Sequence, residues 1–340
     1  MTLPDRVLPW QQHLWGHLRS YIEQKRMPQA LLITGNKGLG KQQLAEQFAA
    51  ALFCATPQAS GTACGHCSSC LLVNAHTHPD FIQVQPEEPG KGITIGQIRG
   101  LVTRLTLKPQ FETYRVVIIS PADKMNNAAA NAFLKCLEEP TERTLIILIA
   151  EKPAKLPATI VSRCQKLAIA TPDRETVADW LAKTLQSKSP LAPLLQRGDL
   201  LCNVSLAQGA PLLALDYAND QTLALRNECF NAWTAIAKQH KSPVIVAEDW
   251  QKLPSPPLLF WMTSWIIDLI KCFYRTQVEN LYNPDLNEQL KELSQRLELK
   301  GLYKLYDLLL ASRQRLDTQI NRQLLFEEIL IQWHELNRSK

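Results

Sequence analysis

The sequence predicts an α/β protein whose first half is a parallel-sheet phosphate-loop domain and whose second half is all helix. Three observations carry this reading: five short apolar runs separated by helix-length segments, a glycine loop between the first run and the helix after it, and the end of all strand signals beyond Pro172. A chain of 340 residues is also too long for one ordinary core, which points to two or three domains.

Taken in order, Trp10 to Arg26 is a polar, helix-patterned stretch, and Ala30 to Thr34 is the first buried strand. Phe81 to Val84, Arg115 to Ile119, Thr144 to Ile149 and Gln165 to Ile169 follow as further strands, with amphipathic helices between them. After Pro172 come helices rich in Leu, Trp and Gln, broken near Gly209, Pro211 and Pro254 to Pro257. The clearest boundary lies near Ala170, and a weaker one at Asp216 to Asp220. There is no internal repeat and no low-complexity tract.

The 37 Lys plus Arg against 32 Asp plus Glu leave a formal charge of +5 that is scattered along the chain, so autonomous tight DNA binding is not indicated. Met1 to Arg6 does not resemble a secretory signal, and the longest apolar run, Leu258 to Ile270, is interrupted by Thr263, Ser264 and Asp268. A soluble, cytoplasmic protein with no membrane partner is expected.

Strand Ala30 to Thr34 runs into Gly35-Asn36-Lys37-Gly38-Leu39-Gly40-Lys41 and then into the helical segment Gln42 to Phe53, the strand-to-helix setting that a G-x-x-x-x-G-K loop requires. Gly35, Gly38 and Gly40 let successive N–H groups face one anion, and Lys41 reaches its terminal phosphates. A plain glycine turn before a helix is the alternative. The next residue is Gln42, where Mg²⁺ needs a Ser or Thr hydroxyl, and strand Val116 to Ile119 ends in Ser120-Pro121-Ala122-Asp123 rather than in an acid. Asp123 reads as the third residue of a helix capped by Ser120, with Pro121 at its first position, in preference to a replacement metal ligand. A loop that holds ATP passively or stands empty, without hydrolysis, is the expectation.

Nine cysteines are present, and Cys54, Cys64, Cys67 and Cys70 fall in one short stretch. Two interlocked C-x-x-C turns and a fourth thiol offer a closed tetrahedral zinc site, and a closed site is structural because no position is left for water or substrate. His66 lies inside the first turn as a competing ligand, and free thiols in a small loop are the bland alternative. Cys136, Cys164, Cys202, Cys229 and Cys272 stand alone in apolar patterns and read as core. His76 and His78 flank a turn before Phe81, where surface or capping roles are expected.

Asn131-Ala132-Phe133-Leu134-Lys135-Cys136-Leu137-Glu138-Glu139-Pro140 resembles the helix-ending stretch of clamp-loader ATPases, and Ser162-Arg163-Cys164 looks like their Ser-Arg-Cys motif. With His78-Pro79-Asp80, the cysteine module and the degraded loop, the resemblance to the AAA+ clamp-loader family covers Ala30 to Gln165 closely and the helical remainder loosely. It implies an AAA+ nucleotide-binding domain over 1–171 carrying a zinc module at 54–70, a helical lid over 172–215, and a collar over 216–340 that holds five subunits in a ring. In active relatives a Thr ends the fourth strand and an Arg stands in the lid, whereas this chain reads Ile149-Ala150-Glu151-Lys152 and Leu212. The resemblance therefore implies a subunit that does not hydrolyse ATP. Its expected partners are gamma- or tau-type motor subunits and the delta subunit, with the sliding clamp and primed DNA met through the complex, in the DNA polymerase III holoenzyme.

By itself Arg163 is an arginine near a helix end, for which a solvated or salt-bridged side chain is the ordinary expectation. The resemblance implies that it points across an interface toward ATP on a neighbouring motor subunit and neutralises charge on the departing γ-phosphate. Two competing functions stay open at this stage: an active gamma-like motor ATPase, and a zinc-dependent nucleic-acid binding module.

Overall fold

The computed structural model describes residues 7–88, 90–106, 108–111, 114–139, 141–188, 197–219, 222–274, 281–316 and 320–338. The chain divides into two compact units, Met1–Pro172 and Asp173–Lys340.

The first unit is built on a five-stranded parallel sheet of β1 (Ala30–Thr34), β2 (Phe81–Val84), β3 (Arg115–Ile119), β4 (Thr144–Ala150) and β5 (Gln165–Ala168), in the order β2-β3-β4-β1-β5. The near-continuous apolar runs follow from burial on both faces. Leu31, Ile33, Val116, Ile118, Leu145 and Ile147 point into one core with Leu18 and Phe48. Their neighbours Leu32, Val117, Ile119, Ile146 and Leu148 point into the other core with Ile98 and Phe133. That alternation is the period of two that a pleated strand imposes. Helices α1 (Gln12–Glu23) and α2 (Lys41–Phe53) cover the first face, α3 (Ser68–Asn74) follows α2, and α4 (Ile95–Leu105) and α5 (Asn127–Glu138) cover the second.

Two caps fix where the second-face helices start. Thr94 and Gln97 form a reciprocal capping box on α4, and the Asn126 side chain accepts from the Ala129 N–H at 2.8 Å on α5. The helix start expected at Ser120 is not formed. A short 3₁₀ turn, Ala122–Lys124, precedes Asn126, and the Ser120 side chain caps nothing there. The Asp123 carboxylate instead accepts from the Glu151 and Lys152 N–H groups, each at 3.2 Å, and so ties this turn to the chain leaving β4. After one helical turn, α6 (Ala158–Val161), the chain enters β5.

The second unit is all helix among its described residues. Helices α7 (Arg174–Lys188), α8 (Arg197–Leu206) and α9 (Pro211–Asn219) share one apolar cluster around Val177, Leu181 and Val204. A separate, larger cluster joins α10 (Thr222–Ala237), α11 (Pro243–Trp250), α12 (Ser255–Phe273), α13 (Asn287–Ser294), α14 (Leu299–Arg315) and α15 (Arg322–Arg338). Trp233 and Trp333 stack at its centre, ring centroids 3.7 Å apart, and the Trp333 indole donates to the Trp233 carbonyl at 2.9 Å. The polar interruptions of the Leu258 to Ile270 run have structural uses. Asp268 is fully buried and accepts from the Tyr282 and Asn283 N–H groups at 2.9 and 2.8 Å, and the Ser264 hydroxyl accepts from Asn283 Nδ2 at 3.1 Å. Among the described residues no helix is long and apolar enough to cross a membrane.

Candidate functional site

The glycine loop joins β1 to α2 as its spacing predicts, with Gly35, Gly38 and Gly40 all at positive φ. At Gly40, φ is 81°, and an added Cβ would come within 2.5 Å of Leu8 Cδ1 and 2.8 Å of Gln11 Nε2. The crowding arises because the chain before α1 lies on the loop: Gln11 Nε2 donates to the carbonyls of Leu39 and Gly40 at 2.8 and 3.0 Å, and Trp10 Nε1 donates to Leu39 O at 3.0 Å. Sequence reading missed this contact, because nothing local marks Gln11 as a partner for a loop 28 residues away.

Lys41 does not reach outward. Its Nζ donates to the carbonyls of Gly35 and Asn36 at 2.9 and 2.7 Å, and the side chain is buried. Burial pushes its pKa down, against the opposing pull of the Glu151 and Asp123 carboxylates. Gln42 is turned toward its own helix: its Nε2 donates to Glu46 Oε1 at 2.7 Å, and the same oxygen accepts from Gln83 Nε2 of β2 at 2.9 Å. This amide occupies the metal-ligand position without a hydroxyl to offer.

Sγ atoms of Cys54, Cys64, Cys67 and Cys70 all lie within 4.8 Å of one another. Cys64 and Cys70 are 3.9 Å apart, and Cys54 and Cys67 are 4.0 Å apart. A zinc–sulfur bond of about 2.3 Å in a tetrahedron places sulfurs about 3.8 Å from each other, so the donor set fits that ion. Cys54 sits at the C-terminal cap of α2, Cys67 caps the start of α3, and Cys70 lies in its first turn. The N–H groups of Cys64 and Cys67 point at the sulfurs of Cys54 and Cys64, at 3.2 and 3.3 Å. The Thr56 side chain, with help from backbone N–H groups, holds the Cys64 thiol down at about 5, while burial pushes the Cys54 and Cys70 thiols up. His66 stays outside the cluster, exposed, with Nδ1 3.0 Å from the Cys64 carbonyl.

His78 departs from the surface position expected of it. It is buried, stacked on Phe53 at 4.1 Å between ring centroids and tilted against Phe111 at 5.2 Å. It caps no helix, and its Nδ1 accepts from the Asp80 N–H at 3.2 Å within the turn that leads into β2. His76 is exposed.

Arg163 stands just beyond α6, after its C-cap residue Ser162. Ile160 and Cys164, both buried, anchor the turn on either side and leave Arg163 facing solvent. Its Nη1 donates to Thr159 O at 3.0 Å and its Nη2 donates to Glu138 Oε1 at 3.1 Å.

A parallel sheet in this order, with a glycine loop after β1 and helices on both faces, is an AAA+-type phosphate-loop fold, here followed by a helical unit. The family model described as DNA polymerase III, delta subunit, matches residues 10–173, and the one described as DNA polymerase III, delta subunit, C terminal, matches residues 220–335. The DNA polymerase III subunit delta' of Pseudomonas aeruginosa is 34% identical over 332 residues, covering 97% of this chain and 98% of that protein. The Escherichia coli subunit delta' is 28% identical, covering 96% of this chain and 95% of its own. The Bacillus subtilis subunit tau is 23% identical over 94% of this chain and 60% of tau. The chain belongs to the family of DNA polymerase III delta' subunits.

Proposed function

We propose that this chain serves the clamp loader of DNA polymerase III as the subunit that does not turn over ATP. It helps gamma- or tau-type motor subunits and the delta subunit open the sliding clamp and place it on primed DNA. The observation that carries the reading is the chemistry of two positions. Gln42, bound to Glu46, stands where a Mg²⁺-ligating hydroxyl is needed, and Ser120 follows β3 where a catalytic carboxylate is needed. ATP hydrolysis and polymerase chemistry both belong to other chains of the holoenzyme.

In this proposal one zinc is bound by Cys54, Cys64, Cys67 and Cys70, where it pins the end of α2 to the start of α3. The sequence puts the lid at 172–215 and the collar that joins a five-membered ring at 216–340. Two separate apolar clusters support a two-part division, but α9 runs on to Asn219 and Tyr217 packs with the first cluster, so the break lies after α9 rather than at 215. Arg163 acts in trans, its exposure and its place just beyond a one-turn helix supporting a contact with ATP on the neighbouring motor subunit.

The test assembles the complex with wild-type chain, Arg163→Ala or Arg163→Lys, confirms ring mass, and measures ATP turnover with clamp and primed DNA. One site of several should fall silent in Arg163→Ala, so bulk turnover drops in part and loading drops further. Arg163→Lys should rescue poorly, because an ammonium lacks the planar fork. Wild-type turnover and loading in a correctly assembled Arg163→Ala complex would remove Arg163 from the mechanism.

A further inference from the structure

We infer that Glu138 is a positioning residue for Arg163, holding its guanidinium in the orientation from which it meets the neighbouring nucleotide. This rests on the reading of Arg163 as acting in trans. Glu138 is the last residue of α5 and Arg163 lies 25 residues further on, yet Nη2 and Oε1 are 3.1 Å apart. With the side chains 40% and 52% exposed, such a pair adds little to the stability of the fold. Nor does α5 favour the acid there, since the carbonyl end of a helix prefers a cation and Glu139 adds a second negative charge beside it. What the carboxylate does accomplish is geometric.

Nη1 is fixed on the Thr159 carbonyl at 3.0 Å and Nη2 on Glu138, so two of the five guanidinium N–H groups are used and three stay free. A long, rotamer-rich side chain is thereby confined before any phosphate arrives. The arriving γ-phosphate meets a fork already oriented, which raises the rate of the chemical step rather than the affinity for ATP.

Complexes carrying Glu138→Ala, Glu138→Gln, Arg163→Ala or the double variant are compared with wild type for kcat and KM for ATP, with clamp and primed DNA present. The difference between wild type and Arg163→Ala measures the one site served by this chain. Glu138→Ala should remove more than half of that difference through kcat, with KM for ATP unchanged and the melting midpoint of the isolated chain unmoved. Glu138→Gln should retain most of it, because an amide oxygen still accepts from Nη2. The double variant should match Arg163→Ala alone, since residues acting as a unit are non-additive. If Arg163→Ala is impaired while Glu138→Ala matches wild type, or if the two losses add, Glu138 has no positioning role. If Arg163→Ala itself matches wild type, the reading of Arg163 fails, and this inference with it.

Discussion

Lys41 Nζ lies 2.9 Å from the Gly35 carbonyl oxygen, so the lysine is held within the loop that carries it. Isolated protein should hydrolyse ATP no faster than a buffer control, because Gln42 offers no hydroxyl to Mg²⁺ and Ser120 follows β3 in place of an acid. Gln42→Ser alone should not create turnover, since the acid is still missing. Lys41→Met should lower stability by about 1 kcal/mol, because the partly buried bonds to the Gly35 and Asn36 carbonyls are lost. Phosphate-release assays and urea unfolding check both. Turnover that vanishes in Lys41→Ala would restore the motor reading.

Freshly purified protein should contain one zinc per chain by elemental analysis. Changing any of Cys54, Cys64, Cys67 or Cys70 to Ser should lose the metal and lower the melting midpoint, because a structural ion contributes its binding energy to folding. Cys136→Ser lies outside the cluster and should keep full zinc content.

Asp80 is fully buried and its carboxylate accepts from the Gln110 and Phe111 N–H groups at 3.0 and 2.9 Å and from Arg115 Nη2 at 3.3 Å. Asp80→Ala should cost about 3–5 kcal/mol, the range for breaking one side of a buried ion pair. Asp80→Asn should cost less, since one oxygen still accepts. Urea midpoints at neutral pH separate the two, and equal losses would mean that the charge, not the hydrogen bonds, holds this loop.

Burial depresses the pKa of His78, against a smaller pull from Asp80, and its Nδ1 is committed as an acceptor from the Asp80 N–H. The native state thus binds fewer protons at His78 than the unfolded chain does. Its contribution to stability is present above the unfolded pKa of about 6.5 and declines as pH falls below that value toward the depressed one. Stability measured between pH 7.5 and 5.5 should fall more steeply for wild type than for His78→Asn. Equal slopes would show that His78 is not the group responsible.

The strands were legible because two-faced burial writes apolar runs directly into the chain. The bounds read for β2 and β3 coincide with those of the structure, and those for β4 and β5 differ by one residue at one end. The cysteine cluster was legible for a related reason, since C-x-x-C spacing reflects the reach of a short turn. The helix start at Ser120 was misread because Pro and Asp give the same local signal for a cap as for a turn. Asp123 was settled by the Glu151 and Lys152 N–H groups, 28 and 29 residues away.

Sequence by itself determined the parallel sheet, the phosphate loop, the absence of a hydroxyl at Gln42 and of an acid at Ser120, and the four clustered thiols. Each depends on residue type and short spacing, which local geometry converts into structure. Only the tertiary structure decided that Gln11 meets the glycine loop at Leu39 and Gly40, that His78 is buried between Phe53 and Phe111, and that Arg163 meets Glu138. Those contacts join segments far apart in the chain, and their partners are selected by how sheet and helices pack rather than by any pattern along the sequence.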